Sequence, residues 1–300
     1  MATRLHDRSH FFKYTTYETA KRVIETQKFR WSSPVTFNDP FDHQSSLMLN
    51  FTLEEFGERL IEASERLVFS EVVPNITPTD LSELMMSVRP EIDRRSREEV
   101  VNMIRRGSMA CAAELFNGFD SLNTAVQQVL CHSRVFCVSE VNDNVVMWSH
   151  YADQHRGVVF KLRCIDDLDN ALLAARRVTY SSNFPEFMSA DEYARHLSGE
   201  QPVDWVPLCK EIAFTKHTDW SYEREWRTHF QMLDIPAGDG HSLFKENPRV
   251  FETVYLGCKM EAQQVTEMCD LIRKHLPGTK ILQGSKSTQQ FALSFVEVSR

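Results

Sequence analysis

The chain has 300 residues, 42% of them hydrophobic and 25% charged, with a formal net charge of −8. That length buries a sizeable core and makes one large domain or two small ones. The acidic balance excludes a chain built mainly to coat nucleic acid, though it leaves room for a local basic groove, and no apolar run approaches the roughly 20 residues that span a bilayer.

The first eight residues are polar and lack the apolar core of a signal peptide, so a cytoplasmic location is expected. Residues 11–15 read as a strand. Thr16 or Thr19 caps a helix whose pattern covers 18–25, with Ala20, Val23 and Ile24 inward. Residues 28–32 turn extended again, and Pro34 stops helix formation before it. In residues 36–42, Thr-Phe-Asn-Asp-Pro-Phe-Asp, the Asn, Asp and Pro make a rigid turn whose side chains bond nearby backbone N–H groups. Phe37 and Phe41 are expected to anchor this turn in the core. It is either an ordinary Asx-Pro turn or a preorganised loop whose Asn38 and Asp42 line a polar pocket.

Residues 52–130 are mainly helical. A first helix covers 53–69, Thr79-Asp80 caps a second over 81–88, and Pro90 opens a third that runs through 104. A fourth runs from 108 to 130 with an interruption near Gly118. This block, 52–132, reads as a helical insertion within a single α+β domain spanning 1–300, and its expected role is a lid or a surface for a protein partner. Residues 134–139 form a buried strand. Asn142-Asp143-Asn144 starts a helix over 145–152, on which Met147, His150 and Tyr151 share one face and Trp148 and Ala152 another. Gly157 suits its exit, and 158–162 is the next strand. A short strand at 177–180, a helix at 189–197 and a helical or extended stretch at 206–216 lead into an expected strand at 220–230. A surface loop at 234–248, a strand at 250–256, an amphipathic helix at 261–275 and strands at 280–282 and 291–298 close the chain. Strands and helices mix without strict alternation, and no glycine-rich phosphate loop follows a strand. The fold class is therefore α+β, with a mixed, mostly antiparallel β core.

The chemistry gathers in Trp220-Ser221-Tyr222-Glu223-Arg224-Glu225-Trp226-Arg227. As a strand, its period of two puts Glu223, Glu225 and Arg227 on one face and Arg224 and Trp226 on the other. The flanking aromatics imply a half-buried site, where charge must be paired or used. Glu225 is the leading catalytic or ligand-binding residue, and the structural alternative is a Glu–Arg pair that fixes register. His150, beside Tyr151 and near Arg156, either packs through a hydrogen bond or takes part directly. The seven cysteines form no Cys-x-x-Cys pair and are expected to be reduced, mostly in the core, and the dispersed histidines imply no structural zinc.

Three stretches together resemble one bacterial family, that called domain of unknown function 2971. They are Phe37-Asn38-Asp39-Pro40-Phe41-Asp42, then Met147-Trp148-Ser149-His150-Tyr151-Ala152 with Arg156-Gly157-Val158, then Glu223-Arg224-Glu225-Trp226-Arg227. A more distant likeness is to the ADP-ribosyltransferase superfamily. Lys13-Tyr14-Thr15 stands where that superfamily has a strand bearing His or Arg, Ser139 or Ser32 stands at its middle position, and Glu225 at its strand-borne Glu. Glu223 and Glu225 have the Glu-x-Glu spacing of some members.

That second resemblance implies an NAD-consuming enzyme, a transferase or a glycohydrolase, with NAD as substrate and no metal. Glu225 would accept a hydrogen bond from the ribose 2′-hydroxyl and stabilise an oxocarbenium-like transition state, and Glu223 would act as base toward an acceptor. His150 is the third catalytic candidate. Tyr14, Trp148 or Tyr151 would stack on a ring, Asn38 and Asp42 would line the pocket, and Lys13, Arg156 and Arg227 would meet the pyrophosphate. A non-enzymatic sensor or interaction module in a bacterial defence or toxin system is the alternative, with recognition through residues 52–130. The third expectation is a nuclease holding a metal by Asp39, Asp42, His150 and Glu225. Neither a membrane nor nucleic acid is expected as partner.

Overall fold

The computed structural model describes residues 4–43, 46–72, 75–232 and 240–298. In chain order, the elements begin with β1 (His10–Thr15), α1 (Tyr17–Thr26) and β2 (Lys28–Ser32). Then come α2 (Leu53–Phe69), α3 (Asp80–Val88), α4 (Arg97–Asn117) and α5 (Phe119–Cys131). After β3 (Ser133–Ser139), α6 (Val145–His150) and β4 (Val158–Arg163) come the short strands β5 (Arg176–Arg177) and β6 (Thr179–Ser181). Helices α7 (Ala190–Leu197) and α8 (Trp205–Phe214) precede β7 (Thr215–His217), β8 (Glu225–Gln231), β9 (His241–Lys245) and β10 (Phe251–Leu256). The last elements are α9 (Ala262–His275), β11 (Lys280–Lys286) and β12 (Leu293–Glu297).

The chain divides into two compact units. One comprises residues 1–44, 129–183 and 213–300, and the other 45–128 and 184–212. The first is built on a mostly antiparallel sheet in the order β12-β11-β10-β4-β1-β3-β2-β9, with β8 pairing β3 and β5. Only β10–β11 in this sheet and the separate β6–β7 pair run parallel among the described strands. The architecture is α+β. Alternation along β1 decides which residues face which layer. Phe11 enters a core with Ala20, Val23 and Ile24 of α1 and Met268 and Ile272 of α9. Phe12 and Tyr14 point the other way, onto Met147 and Trp148 of α6. α1 starts where the Thr16 hydroxyl accepts the Thr19 N–H, and the same Ser/Thr device opens α2 at Thr52.

The second unit is helical. Phe56 and Leu60 of α2 and Val100 and Ile104 of α4 are buried in it, and Phe56 stacks on Tyr193 of α7 at 5.1 Å between ring centroids. Residues 184–212, with α7 and most of α8, join the helices of 45–128 in this unit.

Several expected elements differ. Pro90 opens only a short 3-10 turn, Arg89–Asp93, and α4 begins after Ser96. There Ser96 and Glu99 cap each other's backbone N–H groups, a stronger start signal than proline alone. The helix over 145–152 stops at His150, because Asp153, Gln154 and His155 all take positive φ. The strand at 177–180 is two strands in different sheets. The strand at 220–230 begins only at Glu225: Thr218–Glu223 is a 3-10 turn closed by Arg224 in the left-handed region, φ 45°. The loop at 234–248 contains β9, which pairs with β2, and its residues 234–239 lie outside the described residues. Pro74, in the expected break between helices, also lies outside them. Phe41 is 59% exposed and so does not anchor its turn, whereas Asp39 Oδ1 accepts the Phe41 N–H at 2.9 Å as an Asx turn does.

Candidate active site

The middle of the sheet carries a small acidic cavity in the first unit. Its floor is β3, paired residue for residue with β8, so that Ser139 lies opposite Glu225 and Cys137 opposite Arg227. β1 contributes Phe12, Lys13 and Tyr14, α6 and the residue after it contribute Met147 and Tyr151, and the turn after β2 contributes Phe37, Asn38 and Asp42. Glu223, Glu225 and Lys216 of β7 complete the lining. The cavity measures about 130 Å³. For scale, an apolar cavity of ~150 Å³ holds one benzene ring, while drug-sized ligands occupy ~300–1,000 Å³. One ring fits inside and a dinucleotide does not.

The left-handed Arg224 shapes the acidic wall. It turns the chain between the 3-10 turn and β8, leaves its own side chain exposed, and keeps Glu223 and Glu225 both buried. The Glu223 carbonyl accepts the Ser139 hydroxyl at 2.6 Å, and the Tyr180 hydroxyl accepts the Glu225 N–H at 2.8 Å, so the backbone is pinned on both sides of Arg224.

Charge is paired inside this wall. Arg227 is wholly buried, and its Nε and Nη2 donate to Glu225 Oε1 and Oε2 at 2.7 and 3.1 Å. Its Nη2 also reaches Asp42 Oδ2 at 2.7 Å, and its Nη1 donates to the Ala213 carbonyl and to His43 Nδ1. Because Nδ1 accepts, the His43 proton sits on Nε2, which is buried without a partner, as is Asp42 Oδ1. Lys216 Nζ donates to Glu223 Oε2 at 2.6 Å and Glu225 Oε2 at 3.0 Å, and lies 3.4 Å from Asp42 Oδ2. The Tyr151 hydroxyl donates to Glu223 Oε1 at 2.5 Å.

The two glutamates therefore differ in kind. Burial would raise Glu225, but Arg227 and then Lys216 outweigh it and hold its carboxyl well below the usual carboxylate range. It is a fixed anion. Burial, and after it the negative charge of Glu225, pushes Glu223 up to about 7 despite Lys216 and Tyr151. It is a group that gains and loses a proton near neutrality. Such divergence between two adjacent carboxylates is the usual mark of an acid–base pair.

Of the residues singled out in the sequence, Lys13, Tyr14, Asn38, Asp42, Tyr151, Glu223 and Glu225 converge on the cavity. Lys13 donates to the Cys137 carbonyl at 2.7 Å, and burial lowers its ammonium. Arg227 stands behind Glu225 instead of facing the cavity, so it holds the carboxylate and offers no fork to a phosphate. His150 is exposed, with Nδ1 3.2 Å from the Tyr222 hydroxyl, and lines an outer recess beside the cavity. Trp148 is fully buried between Tyr14, His155 and Phe295, with its indole N–H on the Asn142 carbonyl, and has no face left for a ligand. Arg156 is exposed and bonds Gln154. Among the described residues, no group of three His, Cys, Asp or Glu is placed to hold a metal ion, and no helix is long and apolar enough to cross a membrane. Lys216 and Cys137 escaped sequence reasoning. A lysine set between Phe214 and Trp220 in a short extended stretch was the one available signal for the former.

No curated protein and no solved structure matches the chain. Residues 147–228 match the family model described as protein of unknown function (DUF2971). That stretch holds the Met147–Ala152 and Glu223–Arg227 signatures together with Lys216.

Proposed function

We propose that the chain is an enzyme that cleaves the N-glycosidic bond of NAD, with water or an acceptor nucleophile taking the ADP-ribosyl group. One observation carries the reading: an anionic and a near-neutral carboxylate stand side by side in a cavity the size of one aromatic ring. The nicotinamide ring would enter between Phe12, Tyr14 and Met147. Glu225, already ionised and rigid, would stabilise the positive charge that develops on the ribose as the C1′–N bond lengthens. The bonding pair leaves with the nicotinamide nitrogen and neutralises it. Glu223 in its ionised form would take the proton of the attacking water, and the new C1′–O bond yields ADP-ribose, nicotinamide and one proton. Tyr151 and Lys216 hold the Glu223 carboxylate in place.

A second reading has its own support. Both oxygens of Glu225 are occupied by Arg227 and Lys216, as in a purely structural ion-pair cluster or a ligand sensor. The isosteric Glu223→Gln separates the two, because it removes the proton acceptor and leaves Glu225 and Arg227 paired. Incubation with NAD labelled in the nicotinamide ring should show release by the unsubstituted protein and at least a hundredfold slower release by Glu223→Gln. Unchanged release by Glu223→Gln or by Glu225→Gln refutes the mechanism, and ring binding without any release favours the sensor.

A further inference from the structure

The acidic cavity opens beside a larger recess of about 570 Å³, and Phe37, Asn38 and Tyr151 line both. Thr36, His150 and Trp220 belong to the recess alone. The inner cavity admits one ring, so whatever is attached to that ring must leave past Asn38 and Tyr151 into this space. Resting on the cleavage reading above, we infer that the recess holds the distal nucleotide of the substrate, and that Trp220 is the stacking platform that makes the site prefer a dinucleotide to a mononucleotide.

Trp220 suits that role. Its indole is half-buried, in the middle of the 3-10 turn that carries Glu223. Lys216 Nζ lies 4.9 Å from its ring centroid, and the Tyr222 ring stands tilted 41° to it at 6.1 Å. The same ammonium that grips both glutamates thus fixes the indole, which ties the recess wall to the acidic wall. A planar base can stack on an indole face whatever its hydrogen-bonding edge. The polar groups around it suit a sugar–phosphate link: the Asn38 amide, the Thr36 hydroxyl, and His150, whose Nδ1 is already committed to Tyr222 and whose Nε2 remains.

The test uses equilibrium binding to the full chain carrying Glu223→Gln, so that NAD is not consumed. Nicotinamide mononucleotide, NAD and ADP-ribose are titrated with and without Trp220→Ala, and with Trp220→Phe as a conservative replacement. The expected result is about tenfold or greater weakening of NAD and ADP-ribose by Trp220→Ala, no change for the mononucleotide, and recovery in Trp220→Phe. Equal weakening of all three ligands, or none, overturns the inference. So does NAD binding no tighter than the mononucleotide when Trp220 is intact, and nicotinamide release by the unsubstituted protein would then leave the cleavage reading standing. No release and no binding of either ligand overturns both.

Discussion

One ammonium, Lys216 Nζ, contacts Glu223, Glu225 and Asp42, and one guanidinium, Arg227, closes the same cluster from behind. Buried charges of this kind are stable only as a set, because removing one partner strands the others in a medium that solvates them poorly. Arg227→Lys keeps the charge but cannot reproduce the two-pronged contact with Glu225, and it leaves the Ala213 carbonyl and His43 Nδ1 without donors. It should destabilise the protein by about 3 kcal/mol or more, read as a fall in the urea midpoint with the slope unchanged. A loss below about 0.5 kcal/mol would mean that the cluster contributes no net stability. At the reacting end, Tyr151 donates to Glu223 and favours its ionised form. The ascending limb of kcat/KM for nicotinamide release should therefore sit near pH 7, where Glu223 loses its proton. Tyr151→Phe removes the stabilising donor and should move that limb to higher pH. A shift to lower pH, or a limb untouched by the substitution, would show that Glu223 is not the titrating group.

Tyr151 caps α6 through its N–H on the Met147 carbonyl, and a short left-handed turn follows it. After α6, Asp153, Gln154 and His155 take φ of 46°, 53° and 71°, a conformation that costs roughly 1–2 kcal/mol per L-residue. It persists because neighbouring backbone closes over it: Gly157 N–H donates to the Ala152 carbonyl, Lys259 N–H donates to the His155 carbonyl, and Gly257 N–H donates to the Gly157 carbonyl. A Cβ on Gly257 would lie 2.1 Å from the His155 carbonyl oxygen, whereas one on Gly278 would meet nothing within 4 Å and suffer only from its φ of +89°. Gly257→Ala should accordingly cost more than about 2 kcal/mol, and Gly278→Ala about 1 kcal/mol. Equal midpoints for the two variants would show that the turn yields freely. This element also shows what the residues disclose by themselves. Thr16, Thr52, Thr79 and Ser189 each mark a helix start, because a short hydroxyl side chain caps only there, and these helices were legible. The left-handed residues 153–155 and Arg224 were not, because Asp and His tolerate positive φ without demanding it, Gln and Arg do not announce it, and tertiary packing imposes it. The acidic wall was legible as Glu-x-Glu-x-Arg. Its partner Lys216 was not, since the register of β7 decides that contact.

Across the molecule, the buried titrating groups of the sheet unit set how stability responds to acid. His43 is held well below 6.5 by burial and then by Arg227, and His229 is lowered to about 4 by the same two causes in the same order. Burial raises Glu223 to about 7, with the charge of Glu225 behind it, and burial alone raises Glu246 to about 7. Between pH 6.5 and 4.5 the unfolded chain protonates both histidines and the folded chain neither. Over the same range the folded chain keeps both glutamates protonated and the unfolded chain neither. The histidines make stability fall as the pH drops, the glutamates make it rise, and the four together leave it nearly level. Below pH 4.5 the unfolded glutamates protonate too and their contribution stops changing. Below that point the histidines and the depressed Glu225 drive unfolding. Glu223→Gln removes one of the opposing contributions and keeps the side-chain volume. Its stability should then fall relative to the unsubstituted protein by up to about 1.4 kcal/mol for each unit the pH drops from 6.5 to 4.5. Urea midpoints taken at half-unit intervals would show the offset between the two curves changing steadily from pH 7.5 to pH 4.5, to the disadvantage of the variant. Parallel curves would mean that Glu223 is ionised in the folded protein throughout and does not gain its proton near neutrality.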